Sequence, residues 1–153
     1  MIACLDLEGV LLPEIWIKFA EKTGVEDLKF TTRDIPDYDE LMNKRLSILK
    51  ENNFKLEDIK DVINTLNPLD GAIDFHKWLR SEFEVIILSD TFYQFVSPLM
   101  KKLDFPTLFC HQLVIDDNDS VIGYKLRQSN GKQEAVKALQ NLNFKVVAAG
   151  DSY

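Results

Sequence analysis

The sequence predicts an α/β protein in which helices cover a parallel sheet, with a helical insert between its first and second strands. Three apolar runs, Ile2 to Leu7, Phe83 to Leu88 and Phe144 to Ala149, are typical of strands buried on both faces. From about residue 70 onward, such runs alternate with amphipathic helical segments, which is the pattern of helices that connect parallel strands. Residues 14 to about 68 interrupt this pattern with consecutive helices, which we interpret as a cap over the sheet.

The first half of the chain contains the helices of the insert and one helix after it. A helix that begins after Pro13 is expected to end at Gly24, and Asp37 with Glu40 is a capping-box signal for a second helix. Two further amphipathic helices are predicted at Leu56 to Leu66 and Asp70 to Arg80. The apolar side of the last of them is predicted to contain Ile73, Phe75, Trp78 and Leu79.

The second half contains the remaining strands. The strand that ends at Leu88 is followed by a helix through Phe95 and Leu99. We further expect the following elements: a short strand at Thr107 to Cys110, a hairpin of Leu113 to Ile115 with Val121 to Leu126, a helix at Asn130 to Leu142, and the last strand at Phe144 to Ala149.

Composition excludes several classes of protein. The chain has 153 residues and a net charge of −7, so a broad surface for nucleic acid is not expected. No apolar run is long enough to cross a bilayer, and the N-terminus does not have the pattern of a signal peptide, so we expect a cytoplasmic protein with no membrane partner. Cys4 and Cys110 each lie in an apolar stretch and are expected to be reduced core residues.

Polar residues follow three of the predicted strands, and they carry the candidate chemistry. These short polar segments, which we call strand tips, are Asp6 to Glu8, Ser89 to Thr91 and Gly150 to Ser152. Lys132 lies near the start of a predicted helix. Because ligands bind beyond the carboxyl ends of parallel strands, we expect the tips to meet at one site. Carboxylates that share a site repel one another unless a cation lies between them, and an oxygen-rich site suits Mg²⁺.

Such a site would bind and transfer a phosphoryl group. Asp6 could attack phosphorus and form an aspartyl-phosphate. Glu8 could protonate the leaving oxygen and then activate the acceptor, whether water or an alcohol. Lys132 and Mg²⁺ would neutralise the charge on the phosphoryl oxygens.

The same residues resemble the motifs of the haloacid dehalogenase superfamily. DLEGV at 6–10 is similar to the first motif, Asp-x-Asp-x-Thr/Val, with Glu in place of the second Asp. ILSDT at 87–91 matches the second motif, Lys132 the third and GDS at 150–152 the fourth. Within the superfamily the chain resembles the phosphoserine phosphatases, and most closely those that also transfer the phosphoryl group to homoserine.

The resemblance implies a fold and a role for each matching residue. The fold would be a Rossmann-like core of residues 1–13 and 69–153, with a helical cap of residues 14–68. Asp6 would be the nucleophile and Glu8 the general acid and base. The other implied roles are phosphate binding by Ser89, Asp90, Thr91 and Lys132, substrate recognition by Glu14 and Arg45, and Mg²⁺ binding by Asp6, the Glu8 carbonyl and Asp151. The implied substrates are phosphoserine and homoserine, in serine and threonine biosynthesis, and a homodimer is the implied assembly.

The sequence departs from the family pattern after Tyr153, where the fourth motif would continue with an Asn-Asp pair. We therefore expect either a fragment of a longer protein or an edge covered by another chain, with weak activity for the 153 residues alone. The strand at Phe144 to Ala149 would then be an apolar edge that favours association.

Alternative interpretations remain for the whole chain and for single residues. The chain could be a receiver-like phosphoacceptor or a weakened phospho-amino-acid binding module. Arg45 could lie over the core instead of facing the cap cavity, and Glu14 could simply favour a helix start. His76 and His111 are expected to be surface or packing residues. The following aromatic residues are expected in the core: Trp16, Phe19, Trp78, Phe92, Tyr93 and Phe95.

Overall fold

The computed structural model describes residues 1–151 and confirms the α/β fold class. Ser152, from the predicted third tip, and Tyr153 lie outside the described residues. The strands are β1 Ile2–Leu5, β2 Glu84–Phe92, β3 Thr107–Ile115, β4 Val121–Lys125 and β5 Val146–Ala149. The helices are α1 Ile15–Thr23, α2 Tyr38–Glu51, α3 Leu56–Asn64, α4 Ala72–Glu82, α5 Tyr93–Lys102 and α6 Gly131–Asn141, with a 3₁₀ helix at Glu26–Lys29.

Within residues 1–151, the strands form one five-stranded sheet in the order β4-β3-β2-β1-β5. The pairs β1/β2, β1/β5 and β2/β3 are parallel, and β3/β4 is an antiparallel hairpin. Leu5 lies opposite both Ile87 and Ala149, so β1 and β5 end beside the point where the regular part of β2 ends. This register brings the polar residues that follow those strands together.

Alternate residues of β1 face opposite sides of the sheet, and each side has its own apolar cluster. Ala3 and Leu5 belong to the main core, which includes buried residues of α1, α3 and α5. Ile2 and Cys4 form a smaller cluster with Leu88, which α6 covers through half-buried side chains. Both cysteines are free and buried, as predicted.

The segment between β1 and β2 begins with the three helices α1 to α3 and lies against the hairpin. Leu56 N–H donates to the Asp119 carbonyl at 2.9 Å, and Lys55 Nζ donates to Ser120 Oγ at 2.7 Å. Tyr38 Oη donates to the Asp90 carbonyl at 2.9 Å. These contacts hold the helical segment over the carboxyl ends of the strands. No helix among residues 1–151 has both the length and the apolar character needed to cross a membrane.

Two predicted helix boundaries are confirmed by their capping geometry. Gly24 ends α1 in the left-handed region at φ +74°, where its N–H donates to the Ala20 carbonyl. Asp37 caps α2 because its carboxylate accepts the Glu40 N–H at 2.8 Å.

Two strand predictions were wrong. The predicted strands Thr107 to Cys110 and Leu113 to Ile115 are one continuous strand, β3, which pairs with β2 along its first part and with β4 along its second. Strand β2 continues beyond Leu88 to Phe92, with an irregular register between these two residues. The Ser89 to Thr91 tip therefore lies within an irregular part of the sheet.

The predicted apolar side of α4 was correct for Leu79 but wrong for Ile73, Phe75 and Trp78, which are exposed. Ala72, His76 and Leu79 are its buried residues, at helical spacing, whereas Trp78 is 54% exposed. The predicted stripe included Phe75, which is 41% exposed and packs beside Trp78 with 6.0 Å between ring centroids. The prediction selected the large apolar side chains of the segment, whereas the buried side is set by helical spacing.

Candidate active site

The predicted site residues lie together around one cavity of about 130 Å³ at the carboxyl ends of β1, β2 and β5. Its lining includes every residue proposed from the sequence: Asp6, Glu8, Glu14, Arg45, Ser89, Asp90, Thr91, Lys132 and Asp151. The lining also includes residues of the helical segment that sequence reasoning missed: Trp16, Thr31, Thr32, Arg33, Tyr38 and Leu41. Three of the six lie in the loop before α2 and three lie on α1 and α2, and none belongs to a motif, which explains why they were not found.

Asp6 follows β1 and has a separate partner for each carboxylate oxygen. Oδ1 accepts the Leu7 N–H at 2.8 Å, and Oδ2 lies 2.5 Å from Lys132 Nζ. The Asp6 side chain is only 11% exposed. Burial raises the pKa of its carboxyl above the ordinary value, although the ammonium of Lys132 opposes that shift. Asp6 is thus an oriented, poorly hydrated carboxylate paired with a cation, which suits a nucleophile.

Lys132 lies in the first turn of α6 and contacts two carboxylates. Its Nζ is 3.1 Å from Asp90 Oδ2 as well as 2.5 Å from Asp6 Oδ2. Burial lowers the pKa of Lys132, but Asp90 and Asp6 together raise it above the ordinary value. Lys132 is therefore a fixed positive charge, available to phosphoryl oxygens in the same cavity.

Glu8 lies two residues after Asp6 in a different environment. Its Oε2 accepts the N–H of Ile15 at 3.2 Å, where α1 begins. Burial raises the pKa of Glu8 to about 7, against the opposing effect of hydrogen bonds from Ile15 and Thr91. A carboxyl group with this pKa can hold or release a proton near neutral pH, as a general acid and base requires.

Ser89 and Thr91 lie at the end of the regular part of β2. Both side chains are 5% exposed, and the Thr91 N–H donates to Ser89 Oγ at 3.3 Å. Their hydroxyl groups line the cavity beside Asp6 and Glu8. The arrangement offers short hydroxyl donors to a phosphoryl group.

Asp151 lies against Gly9, and this contact explains why residue 9 is a glycine. A Cβ built on Gly9 would be 2.4 Å from Asp151 Oδ2, and the φ angle of Gly9 is +79°. Only a glycine therefore leaves room for the Asp151 carboxylate beside the chain that follows Asp6. Asp151 Oδ2 also lies 3.4 Å from Arg33 Nη2.

The donor atoms of this region fit Mg²⁺. Asp6, Asp151 and the Glu8 carbonyl supply only oxygen, and Mg²⁺ is commonly held by one or two carboxylates together with water and phosphate. No three His, Cys, Asp or Glu side chains within residues 1–151 are grouped so that they could hold a metal ion by themselves.

Arg45 and Glu14 lie on the side of the cavity formed by the helical segment. Arg45 is 7% exposed, its guanidinium lies 4.7 Å from the Trp16 ring centroid, and Nη2 donates to the Phe30 carbonyl at 2.9 Å. Burial lowers the pKa of Arg45 to about 10, so it stays positively charged near pH 7. Its Nε has no hydrogen-bond partner among the described residues. Arg45 therefore lines the cavity and also packs over the Trp16 ring, so both interpretations of its position hold in part.

Asp90 and His111 form a contact that the sequence did not predict. The Asp90 carboxylate contacts Lys132 through Oδ2 and His111 Nε2 through Oδ1, at 3.3 Å for the His111 contact. His111 is 5% exposed, which fits the expected packing role, and it also contacts this carboxylate. The residues are far apart in sequence and meet through the pairing of β2 with β3, so no local pattern could have revealed the contact.

Comparisons with known proteins agree with this geometry. The family model described as "Putative Phosphatase" matches residues 15–125. The chain is 64% identical, over 99% of its length, to phosphoserine phosphatase ThrH of Pseudomonas aeruginosa, and 61% identical to a phosphoserine phosphatase of Pseudomonas syringae pv. tomato. It spans 74% and 64% of the lengths of these two relatives.

A solved structure gives the same fold at low sequence identity. The phospho-aspartyl intermediate analogue of a phosphoserine phosphatase superposes with a TM-score of 0.80 and 22% identity. The alignment covers 99% of this chain and 78% of that structure. The family match and the Pseudomonas aeruginosa relative lead to one assignment: the chain belongs to the phosphoserine phosphatase family.

Proposed function

We propose that this chain transfers the phosphoryl group of O-phosphoserine through an aspartyl-phosphate on Asp6, to water or to homoserine. The observation that carries the proposal is the pairing of Asp6 with Lys132 in a cavity that also holds the Glu8 carboxyl, whose pKa is about 7. The two carboxyl groups have different environments, and such a difference supports different roles for them. The names of the curated relatives support the substrate.

In the first step an Asp6 oxygen attacks phosphorus, and the bond from phosphorus to the serine oxygen breaks. Glu8 donates its proton to that oxygen, so serine leaves as a neutral alcohol. In the second step Glu8 takes a proton from the acceptor as it attacks phosphorus, and the bond to Asp6 breaks. Asp6 regains its carboxylate and Glu8 regains its proton, so the cycle is balanced.

The cation partners of the phosphoryl group would be Lys132 and a magnesium ion. We assign the ion to Asp6, Asp151 and the Glu8 carbonyl; when bound, it would draw negative charge from the phosphoryl oxygens. Ser89 and Thr91 would donate their hydroxyl groups to the same oxygens. The Gly9 position supports this ligand set, because a side chain there would displace the Asp151 carboxylate.

Arg45 and Glu14 would recognise the amino-acid part of the substrate. A guanidinium binds a carboxylate through parallel hydrogen bonds, and the unpartnered Nε of Arg45 leaves such a donor free. Glu14 lines the same wall and would accept the substrate ammonium. The helical segment of residues 14–68 would then act as a cap that excludes water and selects the substrate.

The test is an assay of phosphate release from phosphoserine with Mg²⁺, with and without homoserine. We expect phosphate release from the wild-type protein, and phosphohomoserine when homoserine is present. Asp6→Asn is the control and should abolish both products. Phosphorylation of Asp6 without turnover would instead support a receiver-like phosphoacceptor, and equal turnover in Asp6→Asn would remove Asp6 from the mechanism.

A further inference from the structure

A chain of polar contacts runs from Asp6 away from the cavity to His111. Lys132 Nζ lies 2.5 Å from Asp6 Oδ2 and 3.1 Å from Asp90 Oδ2, and Asp90 Oδ1 lies 3.3 Å from His111 Nε2. The two oxygens of Asp90 are therefore divided between an ammonium and an imidazole. This carboxylate is 50% exposed and Lys132 is 37% exposed, so neither side chain is held in place by packing.

His111, in contrast, is held by its surroundings. Its side chain is 6% exposed, and its ring lies 6.1 Å from the Tyr38 ring and 6.3 Å from the Phe92 ring, measured between centroids. Its Nδ1 accepts the backbone N–H of Arg127 at 2.9 Å. Because Nδ1 is an acceptor, the proton of the neutral ring is on Nε2, which donates to Asp90. The backbone thus fixes both the ring and its tautomer.

In the proposed phosphoryl-transfer cycle, the contacts of Asp90 with Lys132 and His111 would control the position of the Lys132 ammonium. While Asp6 is a free carboxylate, it attracts Lys132 directly. Once Asp6 carries the phosphoryl group it is no longer a carboxylate anion, and Lys132 must be aimed at the phosphoryl oxygens instead of at the Asp6 carboxylate. Asp90 is the remaining carboxylate that contacts Lys132 within residues 1–151, and His111 is the rigid group that orients Asp90.

We propose that His111 is a positioning residue that acts through Asp90 to keep the ammonium of Lys132 beside the phosphorylated Asp6. The inference rests on the proposed function for its catalytic consequence. His111 does not touch the phosphoryl group; its contribution is the orientation of the carboxylate that holds Lys132. A misplacement of a catalytic group by about 1 Å can cost on the order of 100-fold in rate, which sets the scale of the expected effect.

Two substitutions at His111 separate a positioning role from a packing role. His111→Gln keeps an N–H donor close to the position of Nε2, whereas His111→Leu keeps apolar volume without a donor. We expect His111→Leu to lower kcat for phosphoserine by about 10-fold to 100-fold with a small change in KM, and His111→Gln to restore most of the rate. His76→Leu is the matched control, since His76 is equally buried and its Nε2 has no partner in the described chain.

The coupling to Asp90 is measured with a double-mutant cycle. If His111 acts through Asp90, His111→Leu should cause no further loss in an Asp90→Asn background, both in kcat and in the affinity for inorganic phosphate with Mg²⁺. Equal losses for Leu and Gln at position 111, or additive losses with Asp90→Asn, would overturn the inference. If the wild-type protein binds phosphate but does not turn over phosphoserine, the proposed function is refuted. The role of His111 is then still decided by the phosphate affinities of the same variants.

Discussion

At the residue scale, the two carboxyl groups at the end of β1 show how environment separates chemically similar side chains. Asp6 is paired with an ammonium, whereas burial raises the pKa of Glu8 to about 7. Both residues line one cavity, but Asp6 lies beside the ammonium of Lys132 whereas Glu8 accepts the N–H of Ile15. These environments support the proposed roles of Asp6 as the nucleophile and Glu8 as the proton carrier.

The raised pKa of Glu8 predicts a pH-dependent cost in stability without divalent cations. The unfolded chain releases this proton near pH 4.5 and the folded chain near pH 7, so stability falls as pH rises between these values and the full cost is present above them. With EDTA present, Glu8→Gln should therefore be more stable than the wild type by up to about 3 kcal/mol near pH 8, and by much less near pH 5. Urea unfolding at both pH values measures the difference, and a constant difference would contradict the raised pKa.

Arg45 provides a second residue-scale prediction, on specificity. Arg45→Ala should raise KM for phosphoserine far more than KM for an aryl phosphate, because only phosphoserine has a carboxylate for the guanidinium. Loss of a charge-assisted hydrogen bond of about 1.5–3 kcal/mol corresponds to about 10-fold to 100-fold in affinity. Lys44→Ala is the control, since Lys44 lies over the Phe30 ring and does not line the cavity. Equal changes for both substrates would remove Arg45 from recognition.

At the scale of elements, capping signals and apolar periodicity predicted most helices and strands, because both are local. Gly24 and Asp37 act on residues within four positions of themselves, and their roles were predicted correctly. The exposure of Trp78 depends on which neighbouring elements cover it, so the sequence alone wrongly placed it in the core. The motifs and the family resemblance named nine residues that line one cavity, but they gave no signal for Thr31 to Arg33 in that lining or for the contact between Asp90 and His111.

The turn after β1 makes a prediction at this scale. Gly9→Ala places a Cβ where the Asp151 carboxylate lies, and should weaken Mg²⁺ binding by about 10-fold or more, as loss of support around a metal ligand commonly does. The matched control is Gly24→Ala, which has a similar φ of +74° but no atom within 4 Å of the added Cβ. Both variants should lose about 1–2 kcal/mol from backbone strain, and only Gly9→Ala should change the calorimetric Mg²⁺ affinity. Unchanged Mg²⁺ affinity in Gly9→Ala would contradict the assignment of Asp151 as a ligand.

At the scale of the whole molecule, the sheet joins the site to an apolar edge. Within residues 1–151, β5 is an outer strand, and its neighbours include exposed apolar side chains. Val147 is 48% exposed, Phe144 48% and Leu142 67%. Exposed apolar edge strands favour pairing with other chains.

This edge predicts concentration-dependent association of the 153-residue polypeptide. Val147→Lys should reduce that association, because a charged side chain on an edge strand opposes pairing. Ile122→Lys is the control on the opposite edge, where β4 carries a side chain that is 59% exposed. Light scattering after size exclusion measures the mass of each variant. A wild-type polypeptide that stays monomeric at every concentration, or an equal effect of both substitutions, would contradict the prediction.

The account depends most directly on whether Asp6 accepts the phosphoryl group. The measurement is a rapid acid quench of the protein with radiolabelled phosphoserine and Mg²⁺, followed by identification of the labelled peptide. We predict an acid-stable, base-labile label on the peptide that contains Asp6, present in the wild type and absent in Asp6→Asn. A label on another residue, or phosphate release at the wild-type rate by Asp6→Asn, would contradict the central claim.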